Sequence, residues 1–145
     1  MKKNDTNIKI GRSKEGTVFE IVTLVLVVIM WVLAIMKCFS GSDESGAGCR
    51  KILPNAAVGT FCAAICLISS YRPATMVNLP FKVERPAQYL MMSRMSRTLA
   101  PEMTLLFISL ILWMGENNIA EMCFYAMIFI ILSTCIGYSI LIYRK

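Results

Sequence analysis

The chain reads as an all-α, polytopic membrane protein: four transmembrane helices, both termini on the cytoplasmic side, and a basic cytoplasmic juxtamembrane helix ahead of helix three. Three observations predict this. Four apolar stretches run at about Val18–Lys37, Leu53–Tyr71, Leu99–Gly115 and Met122–Tyr143. Lys and Arg crowd every second connection between them. And 57% of the 145 residues are apolar, with a mean hydropathy of +0.62, above the roughly 45–50% apolar usage of an ordinary soluble domain. Spanning a hydrocarbon core of ~30 Å takes roughly 20 helical residues. Lone strands cannot satisfy their backbone groups in lipid, so helix is the form each stretch must take. The organisation is one transmembrane domain over 17–145, behind a polar, Gly-containing stretch 1–16 predicted to be disordered.

Span one has an apolar core, Ile21–Met36, of about 16 residues, at or past the ~7–15 residues of a signal-peptide core. No small-x-small cleavage site follows it, and Lys37 before Cys38 spoils a lipoprotein-type cysteine. It is expected to stay as an anchor and, being rich in Val, Leu and Ile, to face lipid over much of its circumference.

Orientation follows from the charges. Lys2, Lys3, Lys9, Arg12 and Lys14 precede span one; Arg72, Lys82, Arg85, Arg94 and Arg97 fill the second connection; Arg144 and Lys145 close the chain. These are 12 of the 15 basic residues. Lys37, Arg50 and Lys51 stand in the first loop, and the Glu116–Glu121 turn has none. Positive-inside bias puts both termini and the second connection in the cytoplasm. The net charge of +6 is juxtamembrane, which points to anionic lipid headgroups and away from nucleic acid.

In span two, Ala56, Gly59, Ala63, Cys66 and Ser70 recur at steps of three and four, so they share one helical face. A stripe of small residues lets another backbone approach closely. It is expected to pack on another helix of the same chain, with a dimer seam as the alternative. Ser133 and Gly137 make a shorter version in span four.

Span three is short as a strict apolar run. Met103–Met114 is only about 12 residues, or roughly 18 Å of helix. It must recruit Leu99 and Ala100, which places Pro101 inside or at the mouth of the segment. Pro86 suits a first helical turn. From there Ala87, Leu90, Met91, Met95 and Leu99 form an apolar arc flanked by Arg94 and Arg97. The prediction is a cytoplasmic helix over about Pro86–Ala100 that bends at Pro101 into span three. Arg85, Arg94, Arg97, Met91 and Met95 would be its lipid or partner contacts. Upstream, Pro73, Pro80 and Pro86 favour an extended segment along the headgroups.

Catalytic chemistry is sparse. The chain has no histidine, which removes the commonest general base and metal ligand. Glu20 and Glu102 are placed near the cytoplasmic ends of spans one and three, where pairing with Arg97, Arg94 or Lys14, or solvation, is the expected role. No phosphate loop or nucleophile motif is present, so no enzyme, cofactor or metal is expected. Of the six cysteines, Cys62, Cys66 and Cys135 suit packing. Cys38 and Cys49 bracket the loop Phe39–Gly48 and could close it as a disulfide in an oxidising compartment, although Cys123 on the same side leaves an odd thiol.

Several elements fall in a recognisable order. The loop after span one carries Cys38-Phe39, Gly41, Asp43, Gly46 and Gly48-Cys49-Arg50, then Leu53-Pro54. After span two come Tyr71-Arg72-Pro73, Asn78-Leu79-Pro80-Phe81, Gln88-Tyr89 and Ser93-Arg94-Met95-Ser96-Arg97-Thr98-Leu99. Over roughly Val18–Gly115 this order resembles an uncharacterised bacterial membrane domain that also forms the N-terminal part of SdpI-type immunity proteins, which protect cells from a secreted killing factor. Cys38 stands where that family has a loop histidine, and Arg50 where lysine is usual. The resemblance implies the same inner-membrane architecture. The expected function is non-enzymatic, acting by protein or lipid contacts as an accessory, immunity or regulatory factor. The partner would be a membrane or extracytoplasmic protein met through the Cys38–Lys51 loop or the basic helix. The alternative is a small oligomeric transporter or channel subunit, its polar path drawn from Thr60, Ser70, Ser109, Ser133, Thr134 and Ser139.

Overall fold

The computed structural model describes residues 14–40, 47–73, 85–114 and 118–144. They form four helices: α1 Lys14–Ser40, α2 Ala47–Tyr71, α3 Pro86–Trp113 and α4 Asn118–Arg144. All four are long and apolar enough to cross a membrane. The expected extended segment and most of the first loop lie outside the described residues, as does most of the N-terminal stretch. Its last three residues, Lys14 to Gly16, already belong to α1.

Contacts set the order of the bundle. α3 packs against α1, α2 and α4, α1 also packs on α2, and α4 packs along α3 alone among the described elements. α1 turns a narrow seam inward, Gly16, Thr23, Met30 and Ala34, at steps of seven, seven and four that keep one side of a helix in register. The rest of it, with Leu24, Val28 and Val32, is exposed, as a lipid-facing surface requires. Ala56, Gly59, Ala63 and Ser70 of the α2 stripe are buried, and Cys66 is half-buried. Gly59 lets three helices meet: a Cβ there would lie 2.8 Å from Cγ of Phe107 and 3.0 Å from Sδ of Met30. Met30, Ala34, Ile52, Ala56 and Ile111 form the apolar core beside it. The Trp31 indole donates to Oγ1 of Thr60 at 3.0 Å, tying α1 to α2. In α4 the small residues turn outward, since Ser133 and Gly137 are exposed.

The third helix departs most from expectation. No separate cytoplasmic helix joins a short span; Pro86 to Trp113 is one helix with Pro101 inside it. Packing explains this. A helix end leaves its last carbonyls without intrahelical donors, and the first turns of α3 supply them to two neighbours. Ser93 Oγ donates to the carbonyl of Ser70 at the end of α2, at 2.6 Å. Gln88 Nε2 donates to the carbonyl of Ile142 at the end of α4, at 3.2 Å, while its Oε1 accepts from the Arg85 N–H at 3.1 Å. The start of α3 is therefore fastened between two helix ends, and the helix runs on past Pro101 without a break.

The buried side of this segment takes in only part of the apolar arc: Met95 is buried, Met91 and Leu99 are half-buried, and Ala87 is exposed. Gln88, Met92, Ser93, Met95, Ser96, Arg97 and Ala100 are buried, whereas Leu90 is exposed. In lipid there is no hydrophobic drive between helices, so small and polar side chains turn inward and aliphatic ones outward. α2 likewise starts before Leu53, at Ala47, with Pro54 inside the helix; Ile52 buried in the core holds that added turn in place.

Candidate functional site at the basic end of the bundle

α1 begins where α2 and α4 end and α3 starts, so Lys14, Arg72, Arg85, Arg94, Arg97 and Arg144 gather at one end of the bundle. Arg85 and Arg94 are exposed there. Arg94 pairs with Glu15 of α1 at 3.5 Å, an exposed pair worth about 0–1 kcal/mol. Arg97, only 5% exposed, sits with its Cζ 5.6 Å from the centroid of the Tyr71 ring, within cation–π range. The Tyr71 hydroxyl donates to the Glu20 carboxylate. Gly16 gives Arg97 its room: a Cβ at that position would lie 2.7 Å from Cζ. Thus α1, α2 and α3 each contribute to the seat of one guanidinium.

Of the residues expected to make lipid or partner contacts, the structure leaves Arg85 and Arg94 outside and takes Arg97 and Met95 inside. Met91 is half-buried. Met92, Met95 and Ile142 cluster with Tyr89, Met91, Leu99 and Tyr138 around them. What covers much of this methionine-rich face is α4 of the same chain.

A polar track leads inward from Arg94 between α3 and α4. Thr98 Oγ1 donates to the Arg94 carbonyl at 3.0 Å and lies 3.4 Å from the Tyr138 hydroxyl. One turn further, Thr134 Oγ1 donates to Oε1 of Glu102 at 2.9 Å. Oε2 of Glu102 is closed off from solvent, with no hydrogen-bond partner among the described residues. Because α3 is unbroken, Glu102 is not near its end: it lies 16 residues after Pro86 and 11 before Trp113, about 16 Å from the latter. It was expected near the end of a short span and lies instead within a longer continuous helix. Sequence reasoning missed Glu15, Gly16, Tyr71, Thr98, Gln88 and Tyr138 as parts of this end. The steps of four linking Arg94, Thr98 and Glu102 were the available signal.

At the other end, Cys38 and Cys49 are neighbouring free thiols. The ring of Trp113 stacks on Phe124 at 5.5 Å, with Tyr125 beside it at 6.4 Å. Among the described residues no group of three His, Cys, Asp or Glu is placed to hold a metal ion. Comparison with protein-family models, curated proteins and solved structures finds no match for this chain.

Proposed function

We propose that the chain is a non-enzymatic, multi-pass protein of a bacterial inner membrane that works by contact, its basic end and both termini facing the cytoplasm. The observation that carries this reading is the gathering of exposed guanidinium groups, Arg85 and Arg94, at the end where α1 starts and α4 stops. Basic groups beside an anionic leaflet are worth about 1 kcal/mol each. The order of motifs, which resembles that of the immunity-type domain, favours an accessory, immunity or regulatory role with a protein partner.

Native mass spectrometry of the full chain, gently extracted from its own membrane, tests the role. A second polypeptide at fixed ratio is the expected result; a homo-oligomer alone would overturn it in favour of transport. Orientation is tested separately. After reduction, a membrane-impermeant maleimide applied to spheroplasts should label Cys49 and leave Cys135 untouched. Labelling of Cys49 only after permeabilisation would reverse the assignment.

Glu102 supports a second reading. An ionisable side chain deep in a membrane helix marks a transport path more often than a surface one does, and the Thr98–Tyr138 and Glu102–Thr134 contacts line it up with the basic end. Substrate-dependent flux into vesicles that is lost in Glu102→Gln would establish this oligomeric transporter or channel reading.

A further inference from the structure

At the basic end, between α1, α3 and α4, lies a cavity of about 190 Å³ lined by Glu15, Phe19, Arg94, Arg97, Thr98 and Tyr138. We propose that this cavity binds a phosphate group. The inference rests on the contact reading of the basic end and gives that contact its chemistry.

Two guanidinium groups face one carboxylate in the lining, so the cavity carries a net positive charge. Arg97 is held in advance by the Tyr71 ring and the Gly16 backbone. Its Nε and Nη2 are closed off from solvent, so Arg97 gives the wall its fixed positive charge, and the planar fork that matches the oxygens of a phosphate is that of Arg94. Arg94 stands at the mouth, its side chain 57% exposed. Its present partner, Glu15, is held through one contact at 3.5 Å between two exposed groups, a weak pair that a phosphate can displace. Tyr138 brings a hydroxyl whose proton can go to Thr98, 3.4 Å away, or to an occupant. Phe19 closes the wall with an apolar ring.

The depth of the cavity fits as well. Trp113, Phe124 and Tyr125 form an aromatic group of the kind that marks a membrane–water interface. From Trp113 to Arg94 is 19 residues of unbroken α3, about 28 Å, against a hydrocarbon thickness of ~30 Å. With the aromatic group at one interface, the two arginines stand at the phosphate layer of the other.

The test titrates the full chain in neutral detergent with phosphatidylglycerol and, separately, with inorganic phosphate, reading bound ligand by native mass spectrometry and calorimetry. One saturable site is expected. Arg94→Gln should weaken it about tenfold, the scale of a lost charged hydrogen bond. Glu15→Gln should strengthen it. Lys14→Gln, which removes a charge nearby but outside the lining, should change it less than about twofold. Arg97→Gln removes the fixed charge of the wall and should weaken binding; if that variant misfolds, Arg94→Gln and Glu15→Gln carry the test. Competition by inorganic phosphate would show that the free ion suffices, and lipid binding without it that the headgroup is required; either supports the site. Absence of a saturable site overturns it. So does oleate, a carboxylate, binding as tightly with the same variant dependence. An equal loss in Lys14→Gln and Arg94→Gln would remove the site yet leave the contact surface standing, whereas no dependence on any of these charges would remove both.

Discussion

Leucine in place of Gly59 is expected to destabilise the bundle by at least about 3 kcal/mol, the upper part of the range for overpacking a filled core. Gly59 is where α1, α2 and α3 come closest: even a methyl carbon there would sit 2.8 Å from Phe107 and 3.0 Å from Met30. Met30 can bend aside, but the nearest Phe107 atoms are Cγ and Cβ, at 2.8 and 2.9 Å. Moving those means moving α3 itself. Gly59→Ala should cost about 1–3 kcal/mol, reduced by up to about 1 kcal/mol from the better helix propensity of alanine. Gly137→Ala supplies the contrast, because nothing lies within 4 Å of a Cβ built there. It should leave stability unchanged or raise it slightly. Reversible unfolding in mixed micelles, followed by circular dichroism, reads all three. Equal stability of Gly59→Leu and the parent chain would show that the three helices do not meet at this point.

Thr134→Val is expected to cost about 1–3 kcal/mol, the penalty for leaving a buried polar atom unsatisfied. The threonine hydroxyl donates to Oε1 of Glu102 at 2.9 Å, and Oε2 has no hydrogen-bond partner among the described residues. Valine keeps the shape and deletes the donor. Removing both partners should be milder than removing one, so Glu102→Met combined with Thr134→Val should recover most of the loss. A double-mutant cycle on unfolding free energies measures this coupling. If the two changes simply add, the two residues do not interact across the α3–α4 contact.

Spans one, two and four were legible because each is a long apolar run, which hydropathy reads directly. Their ends were less so: α1 starts at Lys14 and α4 at Asn118, several residues outside the apolar runs, since caps and tertiary contacts carry a helix past its lipid-facing part. The stripe from Ala56 to Ser70 was legible as spacing, but its neighbours Met30 and Phe107 were not. Span three was obscured by Pro101 and Glu102, which cut the apolar run at Met103. The bonds from Gln88 and Ser93 to the ends of α4 and α2 hold the helix together across that cut, and no local pattern announces them. At the basic end, Arg94 and Arg97 stood out in the sequence as charges. Glu15 and Tyr138 were silent, because folding brings them there from distant parts of the chain. The apolar arc was legible as spacing, but its partner was not: part of the surface expected to meet lipid or another protein is covered by Tyr138 and Ile142 of α4, which pack with Met91, Met95 and Leu99.

The placement of α3 has a mechanical consequence. Among the described residues α4 packs along α3, while α1 and α2 also pack on α3. Among the described helices, α3 is thus the rod that links the first hairpin to the last helix; it carries Arg97 toward α1 and α2 and Thr98 and Glu102 toward α4. A rotation or a slide of α3 would loosen the grip on Ser70 and Ile142 at the same time. α4 would be the first helix to part from the others, and the three-helix remainder would keep the Met30–Ile111 core intact. The fold thus has a shaft, a fixed bearing on one side and a detachable member on the other.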